Sequence, residues 1–441
     1  MYHRLPLPSF DELVRRPADI EGLRVAAAEL HHPLLAPLVI DLDDGLDPRE
    51  AAALAVVGNP GLAAERDARG VANAGLIGAG LLPNPTFAGE LGSPYAGPDS
   101  QNLVLNRVFN LSVDTQFFVQ RAARLEAERA TVDSVDLDIA WKEWQVAQAA
   151  QLDTVRLIGI RRRIRHVAAE IENQEQTTAA LEQAVSAGDA SLPDLGIQRA
   201  ALETSRRIHR ELANSEIETS GQLLELLGLP PGTSIDVAES STSVAEMAEE
   251  ASPGEVVDRC LVRRLDLIGL RRGYDSQEAS LRQAVLSQLP NIQVGLLSQR
   301  NESSIKFLGG FASLGLPIFD RNQAEIALAE ATRARLGHEY EARVLGVRAE
   351  IAAALDAARA FDAQIAALRR SLPEARALET AERSAVERGD VERLAYQAVR
   401  TNLLELELGF ESLLQARQEV SVALEASCGG SPFAGEARPK S

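Results

Sequence analysis

The sequence predicts a mostly α-helical protein that also contains a short β segment. Ala, Leu, Glu, Arg and Gln, which favour helices, dominate the composition, and aromatic residues make up only 4% of the 441 residues. Residues 115–187 and 320–370 contain no proline. Each of these stretches can therefore form a helix much longer than the mean of about 11–12 residues in compact domains. Two further segments alternate in hydrophobicity as β-strands do.

Coiled-coil-like packing is predicted for the long helices, because their apolar residues recur at alternating intervals of three and four. The two runs are Val344, Val347, Ile351, Ala354, Ala358, Phe361, Ile365 and Leu368, and then Leu403, Leu406, Phe410, Leu413, Arg417, Val420 and Leu424. A repeat of about 3.5 residues keeps one seam of a helix against a partner helix. The alternative is an amphipathic helix of a compact bundle, which predicts shorter runs that drift towards a period of about 3.6.

The two alternating segments are each predicted to form one β-hairpin, at about 86–113 and about 291–317. In the first, Leu105, Phe109 and Leu111 alternate with Asn106 and other mostly polar residues, so the strand has one apolar face. Gly, Ser and Asn residues punctuate both segments, as is typical of hairpin turns. We therefore expect four β-strands in the chain.

An internal duplication organises the chain. Leu82-Pro83-Asn84 and Leu289-Pro290-Asn291 open the two hairpins, and residues 184–189 resemble residues 385–390. The predicted order is an N-terminal extension (1–42), a first repeat (43–229), a linker (230–253), a second repeat (254–429) and a disordered tail (430–441). The long helices are expected to reverse direction at about residues 188 and 389.

Four strands are too few for a closed barrel, which needs about eight, and open edges invite aggregation. Three copies of the chain would close a ring with an even number of strands. An antiparallel barrel with one apolar face is also a structure that a bilayer accepts. The sequence therefore predicts self-association into a closed membrane barrel, for which three copies would supply twelve strands. A coiled-coil scaffold or adaptor that never enters a membrane is the alternative, and it would not need two amphipathic hairpins.

Composition excludes several other classes of protein. The net charge of −19 and the pI of about 4.9 argue against a nucleic-acid partner. Two cysteines, Cys260 and Cys428, are too few for a disulfide scaffold or a cysteine-based zinc framework, and their role is left open. The six histidines do not have metal-ligand spacing, and no local motif suggests a nucleophile with its base. No catalytic residue, cofactor or metal site is predicted.

These features together resemble the TolC-type outer-membrane efflux proteins over roughly residues 43–428, and the N-terminal half is most similar to the CzcC-like cation-efflux branch. The matching stretches are Asp43–Leu46, Glu50–Ala52, Asn59–Leu62, Gly80–Pro85, Leu226–Pro230, Arg264–Leu267 and Leu314–Gln323. The resemblance implies a TolC-like trimeric α/β barrel, with a β-barrel in the outer membrane and a helical body in the periplasm. It also implies a passive export duct for small molecules or metal cations, coupled to a periplasmic adaptor protein and an inner-membrane pump.

The same resemblance implies where the adaptor binds, namely at the two turns between long helices. The family's contact motif maps onto Gly188, Leu192 and Asp194 in the first repeat, and onto Gly389 and Leu394 in the second. Pro193 and Ala395 depart from the motif. The alternative is that both glycines only terminate helices, because a chain reversal needs a left-handed backbone there.

Residues 1–19 lack the apolar core of a signal peptide. No cysteine precedes residue 260, so no N-terminal acyl anchor is expected on the chain as it stands. Since members of the family are exported, we expect the true start of the protein to lie upstream of Met1. The alternatives are an atypical export signal and a copy that is not exported.

Overall fold

The computed structural model describes residues 3–15, 17–93, 95, 104–238 and 252–431. Its helices are α1 Phe10–Val14, α2 Ile20–Ala28, α3 Pro48–Gly58, α4 Pro60–Gly80, α5 Gln116–Ala187, α6 Leu192–Leu226, α7 Pro253–Arg263, α8 Leu265–Leu286, α9 Gln323–Arg388 and α10 Arg393–Cys428. Its strands are β1 Thr86–Gly92, β2 Asn106–Asp114, β3 Asn291–Arg300 and β4 Lys306–Gly315. The predicted mostly helical fold with four strands is confirmed. Residues 432–441 of the predicted tail lie outside the described residues.

The chain divides into two compact units, and each contains segments of both halves of the sequence. The helical unit comprises residues 1–63, 140–264 and 346–441, and the sheet unit comprises residues 64–139 and 265–345. Each unit therefore combines segments from the first and second halves of the sequence, and the repeat boundaries stay a prediction.

Helix α5 matches its predicted proline-free stretch, and helix α9 is longer than its own stretch. Helix α5 has 72 residues and α9 has 66. Along α9, the predicted seam residues Val347, Ile351 and Ile365 are buried, as is Leu355 beside the seam. Most of the other positions between them are exposed. The seam, rather than intrinsic helix propensity alone, stabilises a helix of this length.

Helix α9 extends well past residue 370 and runs through Pro373. Proline inside a helix removes one hydrogen bond and costs about 3 kcal/mol. Pro373 is on the exposed side, while its neighbours Leu372 and Glu379 continue the buried seam. Burial of that seam offsets the cost, so the helix continues.

Arg417, the charged residue in the predicted seam of α10, is buried there, with 2% of its side chain exposed. Its Nε donates to Oδ1 of Asp362 on α9 at 2.8 Å. Its Nη1 donates to Oγ of Ser421 one turn further along α10. The charge is tolerated in the seam because it is paired and hydrogen-bonded.

The core of the helical unit forms where the N-terminal segment meets α3, α5 and α6. Leu46, Leu54, Leu157 and Leu223 are buried together. Helix α3 begins at a capping box, in which Asp47 and Glu50 satisfy each other's backbone amides. This arrangement fixes the chain where it enters the core.

Part of the predicted linker is built into this core. The amide of Leu46 donates to the carbonyl of Asp236 at 2.8 Å, and the amide of Ala238 donates to the carbonyl of Leu46 at 3.1 Å. Val237 and Ala238 are buried. This part of the predicted polar surface connector therefore lies in the core, and residues 239–251 lie outside the described part of the chain.

The two cysteines form a disulfide that joins α7 to the end of α10. Val256 and Val257 on α7 pack into the same small core as Ile351 of α9. The disulfide closes a sequence separation of 168 residues. It holds α7 in place by a covalent link in addition to apolar packing.

Both predicted hairpins are confirmed, and they form one antiparallel sheet in the order β1-β2-β3-β4. Strands β1 and β2 form the first hairpin, and β3 and β4 form the second. Strand β2 pairs with β3, which joins the two halves of the sequence. No other strand of the described residues pairs with the outer edges of β1 and β4.

Candidate functional site

The register of the sheet separates its side chains into two faces of different polarity. One, called here the apolar face, carries Phe87, Leu91, Phe109, Leu111, Val113, Ile292, Val294, Leu296, Leu308, Ala312 and Leu314. The other, the mixed face, carries Glu90, Asn106, Asn110, Ser112, Asp114, Gln293, Gln299 and Ser313, together with Val108, Leu297, Phe307 and Phe311. The single-strand alternation read from residues 105–113 therefore extends across all four strands.

Much of the apolar face is uncovered within a single chain. Phe87 is 68% exposed and Leu296 is 61% exposed, and the rings of Phe87 and Phe109 stack at a centroid distance of 5.8 Å. An exposed apolar face of this extent marks a surface that meets a lipid or another protein.

The first predicted adaptor-contact turn closes α5 with a Schellman motif. Gly188 has φ of +86°; its amide donates to the carbonyl of Val185, and the amide of Asp189 donates to that of Ala184. A side chain at Gly188 would meet no atom within 4 Å. Glycine is therefore required here by the left-handed backbone and not by lack of space.

The second turn repeats this geometry. Gly389 has φ of +77°, and the amides of Gly389 and Asp390 donate to the carbonyls of Val386 and Ala385. The reading of both glycines as helix terminators is confirmed. Their role in contacting an adaptor is compatible with this geometry and stays a prediction.

The helix that follows each turn begins differently. Before α6, the hydroxyl of Ser191 accepts from the amide of Asp194 at 3.3 Å and donates to its carboxylate at 2.6 Å. Asp194 is thus engaged within its own turn, whereas Leu192 beside it is 72% exposed. Before α10, Glu392 makes no side-chain hydrogen bond as a cap. Leu394 lies in the first turn of α10, and its side chain is outside the described part of the structure.

Behind the turns, a buried polar network connects the two pairs of long helices. Arg400 on α10 donates from Nε to Glu170 on α5 at 2.7 Å and from Nη1 to Glu379 on α9 at 3.0 Å. Tyr396 donates its hydroxyl to Glu379 at 2.8 Å, and Gln174 donates to Glu170 at 2.8 Å. One guanidinium therefore joins carboxylates from both halves of the sequence.

The two carboxylates of the network differ in protonation behaviour. Burial raises the pKa of Glu170, although Arg400 and Gln174 oppose the shift. Burial by itself would also raise the pKa of Glu379. Hydrogen bonds from Arg383 and Tyr396 outweigh burial, so the pKa of that carboxyl is lowered. Glu379 is consequently the firmly ionised partner, and Glu170 is the one that depends on Arg400 for its charge.

This network was not predicted from the sequence. The available signal was that Glu379 continues the spacing of three and four that starts at Val344, so it occupies a seam position where an apolar residue is expected. A charged residue in a seam predicts a buried partner. The partner, Arg400, lies on another helix and cannot be found by spacing.

The described residues contain no group of three or more His, Cys, Asp or Glu side chains placed to hold a metal ion.

A groove of about 360 Å³ between α8 and α9 is lined by residues that include Gln277, Gln283, Asn322 and Glu325. Within the described ranges, none of the helices carries an apolar stretch of the length that a membrane crossing needs.

Comparison with known proteins identifies the relatives of this fold. A sequence model of the outer membrane efflux protein family matches residues 256–430. The match covers less than half of the chain. No protein of curated function matches the sequence.

Solved structures extend the similarity to more than nine tenths of the chain. A CusC structure is 18% identical, with a TM-score of 0.72 over 92% of this chain and 99% of that one. The outer-membrane channel OprN is 17% identical, with a TM-score of 0.74 over 92% and 97%. The CmeC outer membrane channel of Campylobacter jejuni is 14% identical, with a TM-score of 0.71 over 98% and 94%. The predicted TolC-like fold and the resemblance to efflux proteins are confirmed, and the similarity to CusC is compatible with the CzcC-like branch.

Proposed function

We propose that this efflux protein is one subunit of an outer-membrane export channel, and that three copies close a β-barrel from their four-stranded sheets. The observation that carries the proposal is the sheet itself: one face is apolar, the other is mixed, and no strand of the described residues pairs with either outer edge. The duct is passive and exports small molecules or metal cations.

The number and length of the strands support a membrane barrel. Strands β3 and β4 have 10 residues each, which matches the about 9–11 residues of a tilted membrane strand. Strands β1 and β4 run in opposite directions, so β4 of one copy can pair with β1 of the next in the antiparallel sense. Three copies then give twelve strands, an even number as such barrels require.

The disulfide supports the compartment. Disulfides form and persist in oxidising surroundings such as the bacterial periplasm and are rare in the cytosol. Cys260 and Cys428 both lie in the helical unit. We therefore place the helical unit in the periplasm and the sheet in the outer membrane.

The two helix turns are the proposed contact for a periplasmic adaptor, which in turn couples the channel to an inner-membrane pump. Gly188 and Gly389 leave open space where a side chain would stand, and an exposed Leu192 follows the first turn. A glycine turn beside an exposed apolar side chain lets a partner helix approach the backbone closely.

Cysteine pairs on the mixed face test how the sheet closes. Within one chain β1 and β4 are three strand spacings apart, roughly 14 Å in a flat sheet, and a disulfide needs a Cα distance under about 7 Å. Ala88→Cys on β1 is therefore combined in turn with Gly309→Cys, Phe311→Cys or Ser313→Cys on β4. We expect at least one pair to give covalent dimers and trimers on non-reducing gels.

The matched control joins neighbouring strands of one chain. Asn110→Cys with Leu297→Cys lies in register on β2 and β3 and should cross-link within a subunit, leaving a monomer band. Planar-bilayer recordings of the same preparations should show conductance. Monomeric protein without conductance, and without inter-subunit cross-links for any pair, would refute the channel and favour a coiled-coil scaffold.

A further inference from the structure

A row of three basic side chains crosses the apolar face at one end of the sheet. Strand pairing places Arg107 on β2 opposite Arg300 on β3, and Arg300 opposite Lys306 on β4. These are the basic residues of the four strands. Residues in register on neighbouring strands have Cβ atoms about 4.5–5.5 Å apart and point to the same face. Three positive charges therefore stand side by side, one per strand.

Such a row is unfavourable unless an anion joins it, because like charges directly opposite each other destabilise a sheet. Of these three side chains, Arg300 makes a hydrogen bond within the described residues: its Nη2 donates to Oγ of Ser304. The Nε atom of Arg300 is buried and has no hydrogen-bond partner among the described atoms. Glu90, the acidic residue of β1, belongs to the opposite face by register.

The row also has a defined place along the sheet. Arg300 and Lys306 flank the β3–β4 turn, and Arg107 is at the β1–β2 turn end of β2. The opposite end of the sheet continues into helices α4, α5, α8 and α9. Directly beside the row, towards the helices, the apolar face begins with Phe109 and Leu308.

We infer that Arg107, Arg300 and Lys306 bind the phosphate groups of a lipid in the outer leaflet of the membrane. This inference rests on the proposed function, which puts the apolar face in contact with acyl chains and the turn end at the outer surface. A lipid on that face has its phosphates where the apolar residues give way to the basic row. Two guanidinium groups can each hold phosphate oxygens through paired N–H donors, and the ammonium adds a third charge.

The test uses the full-length channel in detergent, with diphosphoryl lipid A as the probe and native mass spectrometry to count bound lipid. Each basic side chain near an anionic membrane surface contributes about a fivefold gain in binding. The triple variant Arg107→Gln, Arg300→Gln, Lys306→Gln should therefore bind about a hundredfold more weakly. The single variant Lys306→Gln should lose about fivefold, which keeps the test decisive if the triple variant does not assemble. Dephosphorylated lipid A should bind wild type and variants equally.

A second triple variant, Arg210→Gln, Arg348→Gln, Arg369→Gln, removes the same charge from exposed positions on helices and should bind lipid A as wild type does. Inorganic phosphate at millimolar concentration should not compete with the lipid. Equal lipid binding by wild type and the strand variants would overturn the inference, as would full competition by inorganic phosphate. Trimer formation and conductance are measured on the same wild-type sample. A conducting trimer whose lipid A binding does not depend on the basic row overturns only this inference. A monomer without conductance overturns the proposed function.

Discussion

Replacing Arg400 by methionine should separate the two pairs of long helices locally, because it removes the cation that joins Glu170 to Glu379. The side chains of Glu170 and Arg400 are 5% and 16% exposed, so the pair is buried. Methionine keeps a similar length without the charge. In this variant Glu379 retains hydrogen bonds from Arg383 and Tyr396. Glu170 retains the hydrogen bond from Gln174.

The expected loss of stability in Arg400→Met follows from the burial of the ion pair. Removing one partner of a buried ion pair costs about 3–5 kcal/mol, since the other charge is left uncompensated. Replacing both partners by apolar residues is often close to neutral. Glu170→Leu combined with Arg400→Met should therefore recover most of the stability that Arg400→Met loses. For an exposed pair such as Arg206–Glu175, at 40% and 50% exposure, Arg206→Met should destabilise the protein far less than Arg400→Met does, because water screens the charges.

The stability lost in Arg400→Met should also depend on pH, and the pKa of Glu170 sets the direction of this dependence. The pKa of this carboxyl is raised by burial, so the folded state holds its proton more tightly than the unfolded chain does. The free energy of unfolding therefore falls as pH rises through the raised pKa. Without Arg400 the pKa rises further. The defect of Arg400→Met should thus be largest at pH 8 and become smaller towards pH 5, and the double variant should lose this dependence.

Hydrogen exchange of the full chain, followed by mass spectrometry, measures the local opening free energy of amides in α5 and α10. The reasoning is refuted if Arg400→Met leaves exchange in both helices unchanged. It is also refuted if the double variant opens as readily as the single variant at pH 8, because the uncompensated charge of Glu170 would then not be the cause.

Two further predictions concern the disulfide and the turns. Cys260→Ser with Cys428→Ser should lower the free energy of unfolding by about 5 kcal/mol, as expected for a cross-link that closes a separation of 168 residues; thermal unfolding should show this loss, and reductant should lower the melting temperature of wild type alone. Gly188→Ala and Gly389→Ala should each cost about 1–2 kcal/mol, because φ is positive at both positions. Gly196→Ala, inside α6 with nothing within 4 Å of the added carbon, should instead stabilise by up to about 1 kcal/mol, and equal effects at all three glycines would contradict the reasoning from φ.

The hairpins and helix turns could be predicted because their signals are local. Alternation around Phe109 defines a strand within a few residues, and the Gly-Asp pairs at Gly188 and Gly389 terminate a helix through contacts within one turn. The long seam containing Val347 and Ile351 is also periodic, so it is visible without knowledge of the partner helix. The positive φ angles of Gly188 and Gly389 also follow from contacts within the last turn of each helix.

The disulfide, the buried ion pairs and the basic row could not be predicted in this way. Cys260 and Cys428 lie far apart in sequence, and spacing does not indicate that they meet. Glu170 and Arg400 come from different halves of the sequence and carry charges that are usually exposed. In each case the partner is chosen by how distant segments pack, and the resulting energy depends on burial that a single segment does not determine.

The long helices, the strands and the polarity of each strand could be predicted from the sequence, because these features depend on residues a few positions apart. Which strands are neighbours depends instead on how distant segments pack. The pairing of β2 with β3 is what aligns Arg107 with Arg300 and combines two hairpins into one sheet with a continuous apolar face. Backbone hydrogen bonds between distant segments set that register, and a shift by one residue would move every side chain of a strand to the other face.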